Sequence, residues 1–258
     1  MHRKSSSSTT FLSSTTLTRA IASTILAFLS LPLYLLASSS YPQSPSQSTS
    51  ANPYPTMAPL EQYLMPDRDA EIALARSAAP ASISQDADVM VLGRHGYETA
   101  AHGKNGFVCL VWRSWAGSPN DADFWNPKAR SPVCLNPAAA RFNVPLTQKR
   151  TQLILAGKSQ AQVFAELESA FQKNEFPALE PGAMCYMLSK QGRLNNVEGP
   201  WHAHLMFFIP LTDSATWGAG AAGSPVVGAF NDTVERHTVF LVPVTKWSDG
   251  TPDTPGGH

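Results

Sequence analysis

The stretch DVMVLGRHGYETAAHGKNGFVCLVWR, Asp88 to Arg113, decides the fold class. Val89 to Leu92 is apolar and rich in β-branched residues, so it reads as a strand. Gly93 to Gly96 reads as a turn, Tyr97 to Ala101 as a short strand, and His102 to Gly106 as a second turn. The Asn105-Gly106 pair in that turn favours positive φ. Phe107 to Arg113 follows as a third strand. Alternation puts Val108, Leu110 and Trp112 on one face and Phe107, Cys109 and Val111 on the other. Both sets are apolar, so this strand is expected to be covered on both faces. The spacing predicts a three-stranded antiparallel meander.

Working outward, Pro66-Asp67 opens a helix. Asp67, Asp69 and Glu71 sit where the helix dipole favours negative charge, and Ile72, Leu74, Ala75, Ala78 and Ala79 recur at helical spacing. Pro80 stops it. On the other side, Ser114 to Pro145 is rich in Pro, Asn and Ala and reads as a long loop carrying Trp115, Phe124 and Trp125. Loops this long are either functional or pinned down. Thr147 to Ala156 reads as a helix closed by Gly157. Ser159 and Gln162 form a capping-box pattern that opens a second helix, with Val163, Phe164, Leu167, Ala170 and Phe171 on one face. Three further strands are expected over 183–188, 202–209 and 238–244, and a weaker one over 225–230. The helices interrupt a run of strands rather than alternating with them. That order predicts an α+β fold: an antiparallel sheet covered by a helical hairpin and an N-terminal helix.

The ends differ from this domain. No acidic residue occurs before Glu61, and Arg3, Lys4 and Arg19 precede an uncharged apolar run from Ile21 to Ala37. That is the order of a secretory signal, with Ala37-Ser38-Ser39 as small residues for cleavage. Residues 1–39 are therefore read as a signal peptide or signal anchor. Residues 40–57 read as a disordered Ser/Pro linker, 58–248 as one globular domain, and 249–258 as a disordered tail. The expected location is periplasmic or extracellular, with membrane contact only through an uncleaved N-terminal segment. Three of the 19 basic residues lie in the leader, so the rest is weakly acidic. It lacks the basic footprint of a nucleic-acid binder.

There are three cysteines, Cys109, Cys134 and Cys185. Export favours a disulfide. Pairing Cys109 with Cys134 would tie the long loop to the sheet and add about 3 kcal/mol by loop closure. Cys185 is then a buried free thiol. This pairing weighs against Cys109 as a nucleophile.

The densest group of candidate ligands is Trp201-His202-Ala203-His204. On a strand, His202 and His204 share a face, a spacing usable for zinc, and His237 could supply a third imidazole. No strong zinc pattern (His-Glu-x-x-His or paired Cys-x-x-Cys) accompanies them. The competing reading is histidines hydrogen-bonded to backbone at a strand edge. Trp112, Trp115 and Trp125 could form a flat platform for a ligand, or pack as a small core under the loop. No Gly-x-Ser-x-Gly, Walker or dinucleotide-binding pattern occurs.

Several short segments resemble a group of uncharacterised exported bacterial proteins: Gly103 to Val111, Pro132-Val133-Cys134, Tyr186 to Ser189, and His204 to Phe208. The resemblance implies a bacterial, extracytoplasmic setting and carries no activity. The expectation is thus an exported domain that binds a partner or serves structure without catalysis and without a cofactor. The alternative is a metal-dependent hydrolase with zinc on His202, His204 and His237.

Overall fold

A computed structural model describes residues 53–194, 201–226 and 228–254. The expected signal segment and most of the Ser/Pro linker lie outside them. Eight strands form one sheet: β1 (Asp88–Gly93), β2 (Gly96–Ala101), β3 (Val108–Trp112), β4 (Ser131–Leu135), β5 (Met184–Met187), β6 (His204–Pro210), β7 (Gly228–Asp232) and β8 (His237–Pro243). The helices are α1 (Arg68–Arg76), α2 (Ala81–Ser84), α3 (Pro137–Leu155) and α4 (Gln160–Gln172). The strand order is β2-β1-β3-β4-β5-β6-β8-β7. The fold is α+β, with a mixed sheet.

The first three strands correct the expected meander. β1 and β2 form the hairpin, but β3 lies on the far side of β1 and runs parallel to it. The connection after β2 passes close against the start of β1. Lys104 N–H donates to Asp86 O, Gly103 N–H to an Asp88 carboxylate oxygen, and the Asn105 amide to Ile83 O. A Cβ on Gly103 would overlap the Asp86 carbonyl. The Asn-Gly pair does supply a positive φ at Gly106, 75°. It is spent on a crossover, not on a hairpin.

A second correction concerns the long loop. Ser131 to Leu135 forms β4, fully buried and antiparallel to β3. α3 then starts at Pro137 and runs through Pro145. Asn136 caps it, its side-chain oxygen accepting from Ala139 N–H at 2.9 Å, and Pro137 occupies the first turn, where no intrahelical donor is needed. Pro145 removes one helical hydrogen bond, a cost of about 3 kcal/mol. Burial of Phe142, Leu146, Thr151 and Ile154 along one face offsets it. α4 begins at the Ser159–Gln162 capping box and buries Val163, Phe164, Leu167, Ala170 and Phe171.

The two sheet faces carry separate cores. The larger contains Leu110, Val133, Leu135, Cys185, Met206 and Phe208 from the sheet, with Phe142, Ile154, Phe164 and Leu167 from α3 and α4. The smaller packs Leu74, Ala75, Ala78 and Ala79 against Val89, Cys109, Val111 and Cys134. Cys109 and Cys134 are directly opposite on β3 and β4 and form a disulfide. Cys185 is free and buried in the other core.

Residues 249–254, expected to be disordered, are held. Lys246 and Pro252 form a β-bridge, and Asp253 accepts from Ala203 N–H at 2.8 Å. Among the described residues no helix is long and apolar enough to cross a membrane.

Candidate functional site

α3 packs over β2, β4 and β5, and reaches the neighbouring strands β6, β8 and β7 at fewer points, among them the Phe142 ring against His237 of β8. On the helix-facing side of those three strands lies a cavity of about 650 Å³. Its floor is Met206 and Phe208 of β6, with Val239 and Leu241 of β8. Its walls come from the inward face of α3 (Asn143, Leu146, Thr147, Arg150) and from the segment between Trp112 and Asp123. That segment is tied down. The Gln160 amide donates to Pro119 O at 2.9 Å, and the Asp123 N–H donates to an Asp121 oxygen at 2.8 Å. A volume of this size lies in the range of small-molecule sites.

Polar groups gather at one end. β7 and β8 are antiparallel, with Asp232 directly opposite His237. The short turn between them carries Glu235, and Arg236 adopts a φ of 57° there. Arg150 reaches this turn from α3 and pairs with Glu235, both nearly fully buried. Arg150 also donates to Trp115 O at 3.1 Å and lies over the Phe164 ring. Burial lowers its pKa to about 10, against the pull of Asp232. The His237 ring sits edge-on to Phe142 and Phe208, with centroids 5.6 and 5.8 Å away.

Burial controls the protonation of this end. It lowers the His237 pKa to about 4, although the Asp232 carboxylate pulls the other way. It raises the Asp232 pKa, opposed by His237, by Arg150 and by a backbone hydrogen bond from Val234. At neutral pH the imidazole is uncharged. His237 Nδ1 is 3.3 Å from Glu235 O, a carbonyl that can only accept, so Nδ1 carries the proton. The Nε2 lone pair is then the free end of the ring. His204 follows the same logic at the other end of the cavity. Its Nδ1 is 2.7 Å from His202 O, and burial lowers its pKa.

The three histidines read from the sequence are not brought together. His202 precedes β6, is exposed, and pairs with Asp253 at 3.2 Å. His204 is opposite Pro243, whereas His237 is opposite Pro210. Six residues of strand separate them, about 20 Å at 3.4 Å per residue. The shared-face expectation for His202 and His204 is therefore corrected, because the strand starts only at His204. Among the described residues no group of three or more His, Cys, Asp or Glu side chains could hold a metal ion.

The aromatic platform is also corrected. Trp115 and Trp125 are 1% and 6% exposed, inside the larger core. Trp115 packs on Tyr63 at 4.8 Å and donates to Thr151 Oγ1, and Phe124 packs on Phe164. Trp112 alone of the three lines the cavity, half-buried, with its indole N–H on Thr147 Oγ1 at 3.2 Å.

Arg150, Asp232 and Glu235 were missed. Arg150 had a legible signal: it falls four residues after Leu146 and four before Ile154, a charge on the apolar stripe of a helix. Comparison with protein-family models, with curated proteins and with solved structures finds no match.

Proposed function

We propose that this chain is an exported, non-catalytic binding domain whose cavity over β6, β8 and β7 takes a small organic molecule. The single observation that carries this reading is the cavity itself: about 650 Å³, apolar on its floor, with buried polar groups converging at one end. A concave site of this size, apolar on its floor and with a few polar groups converging at one end, has the usual form of a small-molecule site.

The non-catalytic reading is supported by how the reactive groups are placed. The Ser114 hydroxyl donates to Phe124 O. Cys185 lies inside the core, where burial raises its thiol pKa. His204 and His237 are too far apart to act on one atom. Export is supported by the Cys109–Cys134 disulfide and by the basic-then-apolar order of the N-terminus.

The test uses Nile red, a neutral dye that brightens in apolar surroundings. The reading predicts saturable emission at one dye per chain. It predicts at least a tenfold weaker response from Leu241→Trp, which fills the cavity, with an unchanged circular dichroism spectrum. No saturable emission from the wild-type chain, or equal binding by the filled variant, overturns it.

A further inference from the structure

The polar end of the cavity offers acceptors. Asp232 takes Glu235 N–H on one carboxylate oxygen at 2.8 Å. His237 is 4% exposed, lines the cavity, and has its proton on Nδ1, leaving Nε2 as an acceptor with no hydrogen-bond partner among the described residues. The cations that line the cavity are already met. Arg113 is paired with Glu71 at 2.8 Å, and Arg150 is paired with Glu235. Arg150 Nε and Glu235 Oε1 have no hydrogen-bond partner among the described residues, and the guanidinium charge is met by Glu235 and, at longer range, by Asp232. The remaining charged lining is acidic: Asp232 at the end, with Asp121 and Asp123 on the segment above. No lysine faces the cavity.

Resting on the binding reading above, we propose that the ligand is an organic cation: a protonated amine, held by Asp232 and by Nε2 of His237, on a compact apolar body lying against Met206, Phe208 and Leu241. An ammonium donates three hydrogen bonds and accepts none, which matches an end made of a carboxylate and an imidazole lone pair. A carboxylate ligand would instead face Asp232 with like charge and find no uncompensated cation.

The experiment displaces Nile red from the full exported domain with three ligands of one shape: phenethylamine, phenethyl alcohol and hydrocinnamate. The amine is expected to displace the dye at least tenfold more tightly than the alcohol, and hydrocinnamate to be the weakest. Asp232→Asn is expected to remove the preference for amine over alcohol. Hydrocinnamate binding as well as the amine, equal binding of amine and alcohol, or an unchanged preference in Asp232→Asn overturns the proposal. If Asp232→Asn does not fold, the wild-type series decides alone. Failure of Nile red itself to bind counts against the binding reading, whereas dye binding without amine preference counts against the cation alone.

Discussion

Asp232 on β7 stands directly opposite His237 on β8, and burial pushes their protonation in opposite senses. The folded His237 pKa, about 4, lies below the ordinary 6.5. Between those values the unfolded chain binds more protons, so stability is lost as pH falls from 6.5 towards 4. The loss should reach about 3 kcal/mol. Asp232, with a raised folded pKa, contributes stability that is lost as pH rises through that value. Denaturant melts across this range should show the acid-side loss, and His237→Gln should flatten it. The same pH dependence from 6.5 to 4 in the wild type and in His237→Gln would contradict the assignment.

Arg150 and Glu235 form a buried pair between α3 and the β7–β8 turn. Glu235→Gln leaves a buried guanidinium with less counter-charge and should cost about 3–5 kcal/mol. Replacing both, Arg150→Met with Glu235→Leu, should recover most of that loss. Equal destabilisation by the single and double variants would mean that the pair is not the source of the cost.

The Cys109–Cys134 disulfide joins adjacent strands across a sequence separation of 25. Removing it with the double Cys→Ala variant should lower stability by about 3 kcal/mol. Cys185 faces the other core and cannot exchange with it. Mass analysis without reductant should find one free thiol, and alkylation of the folded chain should leave Cys185 unmodified until denaturant is added.

Gly103→Ala should destabilise the domain more than Gly157→Ala does. Its Cβ would overlap backbone at Asp86, whereas the space beside Gly157 is open and only its φ of 78° is strained. Urea melts of the two variants compare them directly. Equal loss would show that the crossover tolerates displacement.

Local features were legible and long-range ones were not. The helix start at Pro66-Asp67, the Ser159–Gln162 capping box and the apolar face of α4 are set by residues within one or two turns, so they could be read directly. The direction of β3 could not, because it depends on where the chain passes after Gly103. Pro132 and Pro145 fall in the stretch read as a long loop, yet one lies in a buried strand and the other inside a helix, where packing outweighs the lost hydrogen bond. At the site, His204 and His237 stood out as types, but the 20 Å between them (about six residues of strand) follows from register. The cavity joins α3 to the β7–β8 turn, segments some 80 residues apart in sequence, and no local pattern encodes that meeting.

The most direct test of the cavity as a binding site is methyl NMR of the methionines. Met187 and Met206 line it, whereas Met65, Met90 and Met184 do not. Titration with phenethylamine should shift the Met187 and Met206 methyl signals in a saturable manner and leave the other three in place. No saturable shift at Met187 or Met206, or shifts confined to the other methionines, would contradict the account.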